Sequence, residues 1–233
     1  MDVTLLGSGD ALGVPVPLCD CEYCAESPRR RRPGLLVETD ETTLLFDAGP
    51  DLPAQLRETG VTGLDAVFLT HHHYDHVAGV KELDHAVMEP SAHLDNPEAF
   101  DRLPPHSSVA LYATPVAATH LTYRAGGAKT RLDPEPLGHG DPVTVGSFRV
   151  VPFPVEHARP AFDTVGFAVT DGSRRVVYAP DLREFAPGRP AICSPTLICS
   201  SPRGRGCSAP TPTVPSRHSV RRCPGRTPIE PCW

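Results

Sequence analysis

Lysine is scarce in this sequence of 233 residues. Lys81 and Lys129 are the only two, and arginine supplies the rest of the 22 basic residues, a bias typical of a GC-rich genome. Long apolar runs are lacking too, and none approaches the ~20 residues that a transmembrane helix needs. The segment Met1–Gly7 has neither the basic start nor the apolar stretch of a secretory signal. We therefore expect a soluble, cytoplasmic protein without a membrane partner.

Charge is unevenly distributed along the chain. The formal net charge is −6, but residues 187–233 hold seven arginines and one acidic residue, Glu230. The remainder therefore has 15 basic and 27 acidic residues, a balance of −12. An acidic body disfavours nucleic acid as a partner, because binding to a phosphate backbone depends on basic surface. The sequence leaves the formation of a homodimer open.

Apolar segments and turn residues predict a layered α/β domain over residues 1–185. The hydrophobic fraction of 39% can furnish the core of such a domain. Residues 126–140 are predicted to form a loop. The predicted helices are Leu52–Thr59, a segment after His76 that carries Val80, Leu83 and Val87, and Pro115–Tyr123. The predicted strands are Val3–Leu6, Leu35–Glu38, Thr43–Asp47, Ala66–Thr70, Ala110–Tyr112, Phe148–Pro154, Val165–Thr170 and Arg175–Ala179.

Residues 186–233 form a tail of different composition, dense in proline, arginine and serine and holding five of the eight cysteines. The tail has neither helical nor alternating periodicity, and such a composition buries too little apolar surface to offset the entropy of ordering. We predict that it is disordered. A basic tail with a function is one explanation. Translation of GC-rich DNA in a shifted frame is the explanation that we prefer.

A cluster of metal-binding side chains follows the apolar segment Val67–Leu69. Alternation along an extended chain places His71 and His73 on one side, and a turn then lets Asp75 and His76 reach a neighbouring position. Four such ligands can serve two adjacent cations, and imidazole with carboxylate suits Zn²⁺, Mn²⁺ or Fe. A solvated histidine-rich loop, or a tract that binds metal adventitiously, is the alternative.

Two metals also need ligands from elsewhere, and His157 and Asp181 both follow predicted strands. A carboxylate at Asp181 can bridge two cations about 3.5–4 Å apart. Asp47, at the end of another strand, is a candidate acceptor that orients a ligand histidine. The alternatives are a surface loop residue for His157, a helix N-cap for Asp181 and a turn residue for Asp47.

The segment Thr70–Gly79 resembles the His-x-His-x-Asp-His signature of the metallo-β-lactamase superfamily, and Leu45–Pro50 is similar to the aspartate-glycine motif that precedes it there. His157 and Asp181 fall where that superfamily places its third histidine and its bridging aspartate. The match covers residues 1–185 in order. The resemblance implies a four-layer αββα sandwich, with two catalytic metals at one edge.

The resemblance also implies which residues hold those cations, Zn²⁺ or Mn²⁺: His71, His73 and His157 for the first, and Asp75, His76 and Asp181 for the second. We name Asp75 and His76 as the catalytic residues. The superfamily usually supplies one further histidine to the second metal from near the C-terminus. His218 is the only histidine after Asp181 in this sequence. A catalytically defective, metal-binding relative is therefore an alternative to an active enzyme.

Three thiols lie within six residues, at Cys19, Cys21 and Cys24. The two-residue gap between Cys21 and Cys24 is typical of zinc loops, and Cys19 can fold back to the same ion. Disulfides are disfavoured without a secretion signal. A redox Cys-x-x-Cys pair is the alternative, but the third cysteine favours one structural Zn²⁺, with a histidine as the natural fourth ligand.

The cysteine triplet indicates which branch of the superfamily the chain resembles. Together with Leu5–Pro15 before it and Arg32-Pro33 after it, it resembles the phosphoribosyl 1,2-cyclic phosphate phosphodiesterase branch, whose members carry a structural zinc beside the catalytic pair. This implies hydrolysis of a small or cyclic phosphodiester by a metal-activated hydroxide, with a small molecule as the substrate. An RNA-processing nuclease of the same fold is the alternative. The candidates for a histidine that protonates the leaving group are His93, His106, His120 and His139.

Overall fold

The computed structural model describes residues 1–83, 109–124, 132, 134–157, 162–185 and 196–198. Two six-stranded sheets pack face to face, which confirms the predicted α/β class and its central pair of sheets. The predicted strands are all present, with ends that differ by one or two residues.

The first sheet has the order β1-β2-β3-β4-β5-β6. The strands β1 to β3 are antiparallel, whereas β3 to β6 are parallel, so the carboxyl ends of β3 and β4 lie at the same edge. This shared edge is where open sheets place their binding sites. The strands are β1 (Asp2–Gly7), β2 (Gly34–Glu38), β3 (Thr43–Phe46), β4 (Ala66–Phe68), β5 (Ala110–Ala113) and β6 (Pro134–Pro136).

The second sheet has the order β11-β8-β9-β10-β12, and β7 pairs with the start of β8. It is antiparallel except for the pair formed by β10 and β12. The long strand β8 and strand β10 both run toward the edge at which β4 ends. The strands are β7 (Val143–Val145), β8 (Phe148–Glu156), β9 (Thr164–Thr170), β10 (Arg175–Tyr178), β11 (Glu184–Phe185) and β12 (Thr196–Ile198).

An aromatic cluster fills the space between the two sheets. Phe46 and Phe68 of the first sheet stack at a centroid distance of 5.1 Å, and Phe167 lies 5.4 and 5.6 Å from their rings. Tyr178 completes the cluster at 6.0 Å from Phe46. All four side chains are buried. Each buried aromatic side chain removes a large apolar area from water, so this cluster is a main source of the hydrophobic stabilisation.

Helices cover the outer face of the first sheet. The helices are α1 (Glu22–Glu26), α2 (Leu52–Thr59), α3 (Tyr74–Val77) and α4 (Pro115–Arg124), and residues 80–83 are helical as well. Leu52 of α2, Val77 of α3 and Ala117 of α4 pack with the strand residues that face away from the aromatic cluster. Alternation along β2 to β5 thus sends one set of side chains to each of two cores.

Four predictions about regular structure need correction or extension. The predicted loop 126–140 contains strand β6, whose two prolines mark it as an edge strand. Part of the tail predicted to be disordered forms β12, because β10 offers an open edge for parallel pairing. The helix predicted after His76 is preceded by α3, which already includes His76. The short elements α1, β7 and β11 were not predicted, whereas Val87 and most of the tail lie outside the described residues.

In the described part of the chain, no helix combines the length and the apolar character that crossing a membrane requires.

We predict that Phe167→Ala lowers the free energy of unfolding by about 3–5 kcal/mol, because it removes a ring from the cluster between the sheets and leaves a cavity. Urea denaturation followed by circular dichroism measures this loss. Val116→Ala on α4 is the control, since Val116 is 45% exposed and its truncation is expected to change stability by less than about 0.5 kcal/mol. Equal effects of the two substitutions would contradict the assignment of the core.

Candidate metal centre

The candidate ligands come from the ends of three strands. Thr70 and His71 follow β4, His157 follows β8, and Asp181 lies three residues beyond the end of β10. The backbone N–H of Val165 on β9 donates to the carbonyl of Thr70 at 3.0 Å, so the two sheets are joined where these strands end. This edge of the sandwich therefore gathers ligands from both sheets.

The short helix α3 carries Asp75 and His76 and is fixed by the loop after β3. The N–H of Ala48 donates to the carbonyl of His76, and the N–H of Gly79 donates to the carbonyl of Ala48, both at 2.8 Å. A Cβ atom on Gly49 would lie 2.1 Å from the carbonyl oxygen of Asp75. Only glycine permits this close approach of the loop to the helix that carries the ligands.

The other five predicted ligands converge on the carboxylate of Asp181. The Nε2 atoms of His71 and His157 each lie 3.4 Å from Asp181 Oδ2, and His76 Nε2 lies 3.1 Å from it. His157 Nε2 is also 3.3 Å from His73 Nδ1, and His76 Nε2 is 3.1 Å from Asp75 Oδ2. The candidate ligands form two groups that share Asp181. In each group the ligand atoms all lie within 4.8 Å of one another. The first group is His71, His73, His157 and Asp181, and the second is Asp75, His76 and Asp181.

Buried nitrogen atoms test whether this arrangement fits metal ions. His71 Nε2 and His76 Nε2 are buried and have no hydrogen-bond partner, although carboxylate oxygens lie close by. A buried polar atom without a partner is costly, so two such atoms aimed at one point favour a bound cation. The donor set of imidazole and carboxylate is the one that Zn²⁺ and Mn²⁺ accept. The residues therefore fit the two cations implied by the sequence.

The carboxylate of Asp47 fixes the orientation of both buried histidines. Asp47 Oδ2 accepts a hydrogen bond from His76 Nδ1 at 2.7 Å, and the Thr70 hydroxyl donates to Asp47 at 3.0 Å. Thr70 Oγ1 in turn lies 3.0 Å from His71 Nδ1, which must donate because the hydroxyl proton is already used. Both rings thus carry the proton on Nδ1 and present Nε2 to the site.

Asp47 is itself held by several bonds in an unusual backbone conformation. Its φ of 59° lies in the left-handed region that residues other than glycine rarely adopt. The N–H of Thr70 donates to Oδ1 at 2.8 Å, and the hydroxyl of Tyr178 donates to Oδ2 at 3.0 Å. Burial and the neighbouring Asp47 carboxylate raise the pKa of Tyr178 well above its usual value, so the hydroxyl stays protonated and keeps donating.

The charge around His76 is unbalanced without a cation. Burial lowers the pKa of His76, but the carboxylates of Asp47, Asp181 and Asp75 outweigh burial and raise this pKa well above 6.5. Burial and the nearby histidines have the opposite effect on His71, whose pKa is held well below 6.5. A second proton on His76 would offset only one of these three carboxylates, so the metal-free site keeps excess negative charge. A cation would replace that proton, because ligation requires the neutral imidazole.

A cavity of about 300 Å³ opens over the ligands. Its walls include His73, His157, Asp75 and Asp181 on one side and the loop Asp10–Leu12 on the other. The side chain of Arg32 holds this loop by donating from Nε to the carbonyl of Ala11 at 3.0 Å. No arginine or lysine is among the described residues that line this cavity.

Phe162 forms an aromatic cover beside the histidines. Its ring is parallel to that of His71 at a centroid distance of 5.8 Å, and it meets the rings of His73 and His72 edge-on at 4.9 and 4.3 Å. His120 lies on the far side of His72, with ring centroids 5.0 Å apart. Neither His120 nor the exposed His139 lines the cavity, and His93 and His106 lie outside the described residues.

The three cysteines form a separate cluster beside α1. Cys19 Sγ lies 3.3 Å from Cys21 Sγ, and all three sulfur atoms lie within 4.8 Å of one another. The N–H of Val16 donates to Cys24 Sγ at 3.4 Å. The backbone N–H of Cys21 lowers the pKa of Cys19, but hydrogen bonds with the Cys21 and Cys24 side chains outweigh it and raise this pKa to about 11. Three thiolates crowded in this way need a cation to stay deprotonated.

The structure brings together every ligand that the sequence predicted for each of the two clusters. Whether these residues ligate metal stays a prediction. Thr70, Tyr178, Phe162 and the Asp10–Leu12 loop belong to the site but were not predicted from the sequence. Thr70 had a usable signal, since a threonine between a buried strand and a ligand histidine can reach the ring of that histidine. Tyr178 and Phe162 contact residues that are far away in the sequence, so no local sequence pattern predicts these contacts.

The family model for the beta-lactamase superfamily domain matches residues 42–193. This is more than half of the chain and includes Asp181 and the five other candidate ligands. The chain belongs to the beta-lactamase superfamily.

The matches between this chain and its curated relatives cover only part of each relative's length. The Octanoyltransferase of Porphyromonas gingivalis is 44% identical over 87 residues, which are 36% of this chain and 18% of that protein. The Ribonuclease Z of Methanopyrus kandleri is 34% identical over 139 residues, which are 59% of this chain and 44% of that protein. The chain therefore spans less than half the length of either relative.

Solved structures share the fold. A diphosphatase from the PhnP family is 28% identical, with a TM-score of 0.60 over 75% of this chain and 63% of that chain. The Zn²⁺-bound PqqB from Methylobacterium extorquens is 22% identical, with a TM-score of 0.63 over 80% of this chain and 67% of that chain. These similarities confirm the metallo-β-lactamase fold that the sequence predicted.

We predict that Asp47→Asn weakens metal binding about 10–100-fold, because the NH2 group that replaces one carboxylate oxygen cannot accept the hydrogen bonds made to that oxygen, so the histidines lose part of their fixed orientation. Competition with a chelating dye measures the affinity. Asp65→Asn is the matched control, since the exposed Asp65 accepts a bond from the N–H of Thr43 far from the ligands. Equal affinities of the two variants, both folded by circular dichroism, would contradict the role of Asp47.

Proposed function

We propose that this chain is a metal-dependent hydrolase that cleaves a small or cyclic phosphodiester. One observation carries the proposal: Asp181 Oδ2 lies within 3.4 Å of the Nε2 atoms of His71, His76 and His157, at the floor of an open cavity. A carboxylate shared by two ligand groups is the arrangement that holds a pair of cations for phosphoester hydrolysis.

The residues divide into two ligand groups with a common member. His71, His73 and His157 would hold one cation, Asp75 and His76 the other, and Asp181 would contact both. Cations held there would supply Lewis acidity: they would lower the pKa of a bound water and offset negative charge on a phosphoryl group. The protein contributes the fixed orientation of His71 and His76 through Asp47 and Thr70. Phe162 excludes water from one side of the histidine rings.

The size of the cavity favours a small substrate. A volume of about 300 Å³ suits a cyclic or low-molecular-weight diester. The 28% identity to the PhnP-family diphosphatase supports phosphoester chemistry, although that name describes the other protein. The octanoyltransferase carries no argument, since the shared segment is 18% of its length.

An RNA-processing nuclease is the second candidate. The 34% identity to the Ribonuclease Z of Methanopyrus kandleri favours it, but the described lining of the cavity has no basic side chain to hold an RNA backbone. Incubation with a precursor tRNA separates the candidates. Cleavage of that RNA at a higher kcat/KM than a small diester would favour the nuclease.

The cysteine cluster supports a third metal with a structural role. Cys19, Cys21 and Cys24 supply three of the four ligands of a tetrahedral Zn²⁺ site. The resemblance implies a histidine as the fourth. The resemblance implies two histidines after Asp181, whereas the sequence has one there, His218, which lies outside the described residues. The alternative is therefore a catalytically defective relative that only binds metal, and measurable hydrolysis would exclude it.

We predict that the purified chain contains about three metal ions and hydrolyses bis(p-nitrophenyl) phosphate, and that His73→Ala lowers kcat at least 100-fold. His73 is a ligand on the wall of the cavity, so its loss empties the first metal position. Elemental analysis gives the metal content and p-nitrophenolate release gives the rate.

His139→Ala is the matched control for this experiment, because His139 is exposed and does not line the cavity. It is expected to keep wild-type metal content and rate. One metal ion or none, together with no hydrolysis by the wild-type chain, would sink the proposed activity and favour the defective relative.

We predict that Cys24→Ser lowers the zinc content by one ion per chain and reduces thermal stability, because Cys24 is the buried member of the triplet. Cys232→Ser, outside the triplet, is the control and is expected to leave zinc content unchanged. An unchanged zinc content in Cys24→Ser would show that the cysteines do not hold a metal.

A further inference from the structure

The loop Asp10–Leu12 faces the candidate metal ligands across the metal cavity. The described lining of this cavity consists of four of those ligands and the three residues of the loop. The proposed function uses the ligands and gives the loop no task. Because the cavity measures only about 300 Å³, a molecule that reaches the metal ligands also lies beside the loop.

Backbone hydrogen bonds hold this loop in place on both sides. Before it, the N–H of Gly9 donates to the carbonyl of Arg31 at 2.6 Å. After it, Val14 and Arg30 exchange two backbone hydrogen bonds of 2.9 and 2.8 Å. A Cβ atom on Gly9 would lie 2.8 Å from the carbonyl oxygen of Arg31, so only glycine allows the two segments to approach this closely. The side chains of the loop therefore have fixed positions on the cavity wall.

The carboxylate of Asp10 is only partly used by the loop itself. Its Oδ1 atom accepts a hydrogen bond from the N–H of Ala11 at 2.6 Å, and its backbone carbonyl accepts one from the N–H of Gly13 at 2.7 Å. Within the described ranges, no residue donates to its other oxygen, Oδ2. A carboxylate can accept about four hydrogen bonds, so Asp10 keeps acceptor capacity at the cavity.

The negative charge of Asp10 is separate from the metal ligands. Asp10 belongs to neither of the two ligand groups that share Asp181, so cations held by those groups are not bound to it. The described lining of the cavity also includes no arginine or lysine that could pair with it. A positively charged group that enters the cavity with the substrate would therefore find an acceptor of opposite charge on this wall.

A role in the turn is the structural explanation for Asp10. Aspartate is favoured at the first position of a β-turn, because a side-chain oxygen can accept a backbone N–H. Asparagine serves this purpose as well, since its amide oxygen accepts the same kind of bond. Aspartate alone adds a full negative charge. Asp10→Asn therefore separates the role in the turn from the role of the charge.

Leu12 gives the same wall an apolar side chain. It is 55% exposed and borders the cavity two residues after Asp10. An apolar side chain next to an anionic acceptor matches an organic group that has a short carbon chain and ends in a positively charged donor. The organic part of an amino alcohol has this character.

We propose that Asp10 is a specificity-determining residue that binds an ammonium group in the organic part of the substrate. Leu12 packs against the carbon atoms next to that group. This inference rests on the proposed phosphodiesterase function and narrows its substrate class to phosphodiesters of amino alcohols.

Calorimetric titration with matched phosphonates tests this assignment without turnover. Propylphosphonate, 3-hydroxypropylphosphonate and 3-aminopropylphosphonate share the anionic end and the carbon chain, and differ only at the other end. They are titrated into the zinc-loaded chain at low ionic strength, so that charges are not screened. The amino compound is expected to bind about tenfold more tightly than propylphosphonate, and the hydroxyl compound about twofold, because charge-assisted hydrogen bonds are the stronger ones.

Asp10→Asn is expected to lower the preference for the amino compound over propylphosphonate to about twofold or less, because the amide keeps an acceptor but loses the charge. Leu12→Ala changes the same loop and is expected to weaken all three phosphonates while keeping the wild-type preference. Asp40→Asn removes a negative charge from the exposed turn before β3, at the opposite end of that strand from the cavity, and is expected to keep the wild-type affinities.

Three results would overturn the assignment. They are equal affinities of the wild-type chain for the propyl and amino compounds, equal affinities for the hydroxyl and amino compounds, and a preference for the amino compound that Asp10→Asn leaves unchanged.

The corresponding esters separate this inference from the proposed function. For 3-aminopropyl p-nitrophenyl phosphate, KM is expected to be about tenfold lower than for propyl p-nitrophenyl phosphate, with similar kcat. The predicted order of phosphonate affinities without hydrolysis of either ester would support the role of Asp10 and refute the proposed activity. Hydrolysis of both esters with equal KM and equal phosphonate affinities would support the activity and refute the role of Asp10.

Discussion

The buried carboxylate of Asp47 is the group on which the rest of the candidate site depends. It accepts hydrogen bonds from His76, from Thr70 and from Tyr178, and these partners come from both sheets and from α3. An anion at 1% exposure is stable only when it is fully hydrogen-bonded, so each partner is constrained by the others. The consequence is that His71 and His76 meet with their Nε2 atoms turned toward Asp181.

This arrangement also explains why the site favours cations. Three carboxylates surround His76, and burial keeps His71 neutral, so the metal-free pocket combines excess negative charge with unpartnered nitrogen atoms.

Local sequence patterns were enough to predict most of the strands and the candidate metal ligands. Alternating apolar residues predicted β2 to β5 and β8 to β10, and the spacing of His71, His73, Asp75 and His76 predicted one cluster. The strand β12 was missed because its pairing with β10 depends on an open sheet edge and not on its own periodicity. Phe162 was missed for a related reason: it is distant in the sequence from His71 and His73 and contacts them only because the two sheets pack together.

The central claim is that Asp181 is shared by two metal ions. Anomalous diffraction at the zinc edge from crystals grown with Zn²⁺ tests it most directly. The account predicts two peaks about 3.5–4 Å apart, one beside His71, His73 and His157 and the other beside Asp75 and His76, with Asp181 between them. A single peak, or two peaks of which neither contacts Asp181, would contradict it.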